Sequence, residues 1–254
     1  MSMQEVLGDL VDETAEVTAL VDDLDAAGWE LVTPSAPWTI ADQIGHLAYF
    51  DEQAALSATD PTSFAETVNR EAGALASDIA DLHRLRDLDG PATLAWWKSA
   101  RADMLAAFAT LDPEERVPWY GPAMRARSAA VARLMETWAH GTDIAETLGD
   151  TLPVTNRLFH VADLGVRTYR WAFANRGLEP PPERVRVALR GPSGTTRIWN
   201  DECSASVTGP VEEFCLVVAQ RRNVRDTHLV LEGGLARHWM EIAQVFAGPP
   251  GPGR

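Results

Sequence analysis

Thiol chemistry of its own is nearly missing from this chain. Only two cysteines occur in 254 residues, Cys203 and Cys215. They have no C-x-x-C spacing, which excludes a disulfide scaffold and a thiolate metal site and suits a reducing compartment. Positive charge is scarce too: 22 Lys and Arg stand against 37 Asp and Glu, a formal net charge of -15. A surface that acidic repels phosphate backbones and anionic lipid, so neither nucleic acid nor a membrane surface is expected as a partner. A small anionic substrate would need a local metal or arginine to hold it. No stretch approaches the roughly 18 apolar residues of a transmembrane helix. The opening "MSMQEVLGDLVDETAEV" lacks the basic and apolar regions of a signal peptide, and the expectation is a cytoplasmic protein.

What the chain does contain is amphipathic helix. At 46% hydrophobic and 23% charged, its composition is that of a globular protein long enough to bury a core. Val6, Leu10, Val17, Leu20, Val21 and Leu24 recur at three- and four-residue steps and predict a first helix ending near Gly28. After the loop "TPSAPW", Thr39 and Asp42 form a capping box that opens a second helix, with Leu47, Phe50, Ala54 and Ala55 on its apolar stripe. A short helix is read around "SFAETVNREAGALASDIADL". A third main helix begins near Pro91 with Leu94, Met104, Leu105 and Phe108 inward, and a fourth runs from about Ala123 to Leu148, closed by Gly149. Four such helices with unequal connections predict a helical bundle.

Past Pro153 the pattern changes. One helix over "TNRLFHVADLGVRTYRWAFANRG" leads to "LEPPPE", then to short β-rich runs, the helix "PVEEFCLVVAQRR", the strand "THLVLEGG" and the helix "LARHWMEIAQVF". The expected fold class is α+β: a four-helix bundle over 1–152, a connecting helix and linker over 153–182, a small α/β domain over 183–247, and a Pro/Gly tail over 248–254.

Six histidines are available for chemistry. His140 follows Glu136 by four residues, which stacks the two side chains on one helical face. That pair alone reads more readily as a surface contact than as two arms of a metal clamp. Bonds of about 2 Å from a carboxylate oxygen and an imidazole nitrogen can meet at one ion, and a third imidazole from a neighbouring helix would leave a coordination position open, the pattern of catalytic zinc. His46 lies within the second helix. His83 in a charge-rich connection, His228 in a strand beside Asp226, and His160 and His238 on helices without partners read as structural or exposed. Asp42 reads as a helix cap, Asp143 as an acceptor orienting His140 or else a surface or intrahelical residue, and Trp38 and Trp138 as packing, with a wall of the pocket as the lesser reading for Trp38.

"PWTIADQIGHLAYF" and "METWAHGTDIAETLG" resemble the two signatures of DinB-like metalloenzymes, specifically the mycothiol-dependent maleylpyruvate isomerase family. "ASVTGPVEEFCLVVAQRR" with "LVLEGG" resembles that family's small C-terminal domain, so the likeness spans nearly the whole chain. It implies a DinB-like bundle with His46, Glu136 and His140 as ligands to zinc or another divalent metal. It also implies an arginine contact to substrate. Arg221 takes that place beside Arg222, although the Leu-Trp-Gly-Arg run typical of the family reads "VVAQRRN" here.

The activity so implied is a zinc-dependent, mycothiol-using thiol S-transferase or isomerase. It would act on a small electrophilic, anionic metabolite through a metal-bound thiolate, with the small-molecule thiol and the electrophile as partners and a monomer or homodimer as the assembly. The competing readings are a hydrolase using zinc-bound hydroxide on the same ligands and a non-enzymatic metal- or ligand-binding bundle.

Overall fold

In the computed structural model, which describes residues 2–71 and 87–251, the chain forms two compact units, Met1–Leu152 and Pro153–Arg254. The first helix, α1 (Met3–Val21), starts in a capping box between Ser2 and Glu5. It stops at Val21, short of the expected Gly28. The reason lies in the acidic turn that follows. The Asp25 side chain accepts from Gly28 N at 2.8 Å and starts the separate one-turn helix α2 (Ala26–Trp29), which carries Trp29 into the core.

The Thr39–Asp42 capping box opens α3 (Ile40–Thr59). The polar stretch after it forms α4 (Pro61–Glu71); the remainder of the short helix expected there, and His83, fall outside the described residues. Asp89 caps α5 (Gly90–Phe108). A two-residue ribbon, β1 (Arg116–Val117) with β2 (Met124–Arg125), precedes α6 (Ala126–Leu148). That ribbon takes up Met124 and Arg125, so the fourth bundle helix begins three residues later than expected. Gly149, at φ 70°, ends it in the left-handed conformation that favours glycine.

The four long helices pack as α3 against α5 and α1 against α6, with α3 also touching α6. Val17, Val21, Trp29, Ile40, Ile44, Leu47, Leu94, Trp97 and Ile144 form the core between them. Gly141 sits where α6 packs tightly against α1: a Cβ there would stand 2.4 Å from Val17 Cγ2 and 3.0 Å from Leu152 Cδ1. Alanine would gain about 1 kcal/mol in helix propensity, but overpacking a filled core costs about 1–3 kcal/mol. With Val17 fully buried, the clash wins. Gly141→Ala is expected to lower stability by roughly 1–2 kcal/mol in thermal or urea unfolding, and a stabilised variant would contradict the close crossing.

In the second unit, the single helix expected after Pro153 is two, α7 (Leu158–Arg167) and α8 (Tyr169–Ala174). Thr168 breaks it by turning its hydroxyl onto Gly165 O at 3.1 Å, in competition with the backbone ladder. A four-stranded mixed sheet follows: β3 (Arg186–Arg190), β4 (Thr196–Trp199), β5 (Ser206–Pro210) and β6 (Val230–Glu232), in the order β4-β3-β5-β6. The central β3 and β5 run parallel and both edge pairs antiparallel. Helices α9 (Val211–Val218) and α10 (Gly234–Ile242) complete the unit, with Phe214, Val218 and Trp239 in its core. The chain is therefore an α+β protein. Among the described residues, no helix is long and apolar enough to cross a membrane.

Candidate metal centre

Helix α3 supplies His46, and α6 supplies Glu136 and His140 one turn apart. The contact between those two helices closes the group. Glu136 Oε2 lies 3.2 Å from His140 Nε2 and 3.7 Å from His46 Nε2, and one ligand atom from each of the three side chains falls within 4.8 Å of the others. Ligand bonds of about 2.0–2.1 Å in tetrahedral geometry put neighbouring donors roughly 3.3 Å apart, so the spacing fits a single divalent ion. His140 is nearly enclosed at 9% side-chain exposure, whereas His46 and Glu136 keep 21% and 22%. The group thus reaches solvent on one edge, where a small molecule could bind.

The ionisation states suit the same role. Burial, with His140 and Arg133 nearby, lowers the His46 pKa to about 4, so its ring is neutral and its nitrogen is free as a donor. For Glu136, burial pushes the carboxyl up, but the adjoining His140 and His46 rings outweigh it and hold it well below its usual range. Both groups bind protons less readily folded than unfolded, so both favour the fold at neutral pH and lose that contribution as pH falls. For His46 the loss begins below the ordinary value of 6.5 and ends near 4. The metal-free chain is expected to lose on the order of 1–2 kcal/mol between about pH 7.5 and about pH 5, after allowance for partial exposure. Urea unfolding in chelator tests this, and His46→Leu is expected to flatten the profile.

The surroundings are aromatic. Trp38 lies 5.0 Å from His46 between ring centres and stacks on His140 at 5.9 Å, so it walls the site and does more than pack. Phe50 meets His46 at 4.6 Å and continues into Trp119 and Tyr120. Trp138 is buried as a packing residue.

Asp143 lies behind a hydrogen-bond partner of the His140 ring. Nδ1 of His140 meets the amide oxygen of Gln43, and Asp143 sits behind that amide, with its Oδ2 3.4 Å from Gln43 Nε2 and accepting from Ser35 at 2.8 Å. Sequence reading missed Gln43. Its only signal was a long polar side chain one turn before His46 on an otherwise apolar face. A second omission is the buried trio of Asp51, Arg101 and Arg133. Of the remaining expectations, Arg221 lies in the second unit, where its guanidinium donates to Ala219 O at 2.9 Å. His228 pairs with Glu213 at 2.8 Å, His238 stands edge-on to Phe173, and His160 is buried.

A helical bundle of this kind is consistent with the DinB-like superfamily. The chain belongs to the mycothiol maleylpyruvate isomerase family: residues 10–145 match the model of that family's N-terminal domain. Two uncharacterised proteins, from two strains of Mycobacterium tuberculosis, are each 42% identical over 250 residues, covering 98% of this chain and 97% of their own. The crystal structures of a mycothiol-dependent maleylpyruvate isomerase and of its histidine-to-alanine mutant share the fold. Each has a TM-score of 0.58 at 15% identity, over 87% of this chain and 90% of theirs.

Proposed function

We propose that this protein is a metal-dependent enzyme that uses mycothiol to isomerise, or transfer a thiol to, a small electrophile, with zinc or another divalent ion held by His46, Glu136 and His140. The observation that carries the reading is the three donor atoms at ligand spacing with one edge open to solvent. A divalent metal bound there would lower the pKa of a bound thiol from about 8.5 so that it reacts as thiolate at neutral pH. The buried cysteine of the chain is unsuited to this role. Burial, with Glu212 nearby, pushes the Cys215 thiol well above its usual pKa, and that thiol is turned onto Leu158 O. The proposal has a cosubstrate bring the reactive thiol, in keeping with a family whose solved relatives are described as mycothiol-dependent.

The protein's own groups then have defined tasks. Glu136 supplies the negative charge, Gln43 orients His140 through Nδ1, and the half-buried rings of Trp38, Phe50 and Trp119 limit water and offer flat faces to an unsaturated electrophile. We carry the anionic character of that electrophile, and a cytoplasmic setting, as parts of the same proposal. Metal-loaded protein is to be assayed with maleylpyruvate, with and without mycothiol. Turnover that requires the thiol is the expected result, and a hydrolytic activity indifferent to thiol would sink the transferase or isomerase reading.

A further inference from the structure

The partner of His140 Nδ1 is an amide, and an amide has a polarity that its surroundings must set. Gln43 is fully buried, as is Asp143. An ionised carboxylate can only accept hydrogen bonds. Asp143 Oδ2 lies 3.4 Å from the Gln43 amide nitrogen and is itself held by the Ser35 hydroxyl at 2.8 Å. The same nitrogen donates to Thr33 Oγ1 at 2.8 Å, and that hydroxyl passes its own proton to Trp38 O at 2.9 Å. A threonine hydroxyl can turn either way, so the carboxylate is what imposes direction. The opposite amide orientation would press an amide oxygen against a carboxylate in a buried site, two acceptors with no proton between them.

With its nitrogen committed, Gln43 must present oxygen to His140. The ring must answer with Nδ1–H, and that leaves the Nε2 lone pair pointing toward Glu136 and His46. We propose that Asp143 fixes the tautomer of His140 through Gln43, which makes both of them positioning residues for the metal ligand. The inference rests on reading the triad as a metal centre. It also gives α3 two tasks: it carries one ligand, His46, and three residues earlier it carries the group that orients a ligand on α6.

The test uses Gln43→Leu, Asp143→Ala and the double variant, with Co2+ affinity and the ring N–H of His140 as readouts. Groups that orient a ligating histidine are worth 10- to 100-fold in affinity, so each single variant is expected to weaken Co2+ by about that factor. Because Asp143 acts through Gln43, the double variant should lose no more than the weaker-binding single. Proton–nitrogen NMR of the metal-free wild type should show a slowly exchanging proton on Nδ1 of His140, absent from Gln43→Leu. Losses that multiply in the double variant, or no protected Nδ1–H in the wild type, would overturn the relay. Should Gln43→Leu fail to fold, Asp143→Ala and the wild-type spectrum decide. A wild type that takes up no Co2+ yet keeps the protected Nδ1–H would defeat the metal reading and leave the relay standing.

Discussion

Glu136→Gln is expected to release the metal and abolish catalysis while leaving the bundle folded. The change keeps the side chain's size, so packing on α6 survives, but it removes the only carboxylate of the triad. The charge of a bound dication would then be met by two neutral imidazoles alone. Orienting groups behind a ligand are worth 10- to 100-fold in metal affinity, and loss of a ligand itself should cost more than about 100-fold. Metal analysis of protein passed through metal-free buffer is expected to show one divalent ion per wild-type chain and none in the variant. Thermal unfolding gives a second reading. At free zinc about 100 times its dissociation constant, the wild type should gain about 2.7 kcal/mol and the variant almost nothing. His228→Ala, at an exposed position outside the triad, should keep both metal and gain. A wild type purified without stoichiometric metal would remove the basis of the proposed chemistry.

How far these features could be read in advance depended on whether they are local. The capping box at Thr39 and Asp42, the left-handed stop at Gly149 and the one-turn spacing of Glu136 and His140 are each settled within a few residues, and periodicity alone revealed the bundle. The end of α1 was misjudged because the apolar pattern runs on through Leu24 and Trp29 into the core, while the chain is broken by the Asp25 cap. Thr168 was missed for a similar reason: a hydroxyl that can break a helix looks the same as one that tolerates it. The orientation of His140 was beyond reach. It depends on Gln43, 97 positions away, and on a register between α3 and α6 that no single helix encodes. His46 joined Glu136 and His140 only through family resemblance, because spacing in one helix cannot say which histidine faces it from another.

The same register has a second fastening, and breaking it should have the largest effect on stability. Asp51, on α3 five residues after His46, is completely buried. It accepts from Arg101 of α5 at 2.7 Å, from Arg133 of α6 at 2.9 Å and from the Trp97 indole at 3.0 Å. Arg133 precedes Glu136 by three residues, so this contact ties the helix that carries one histidine to the helix that carries the other two ligands. Arg101 also reaches Thr14 of α1 and Thr137 of α6, so all four bundle helices meet at one carboxylate and its cations. Asp51→Asn keeps the shape but leaves two buried guanidinium groups without their counter-charge. Removing one partner from a buried ionic group costs about 3–5 kcal/mol, which for a chain of this size lowers the melting temperature by roughly 10 °C. Calorimetry of the metal-free protein should show that drop, and a loss below about 1 kcal/mol would mean that water already screens the cluster. Metal affinity should fall alongside stability, because helices free to slide past one another no longer hold His46 at ligand distance from Glu136.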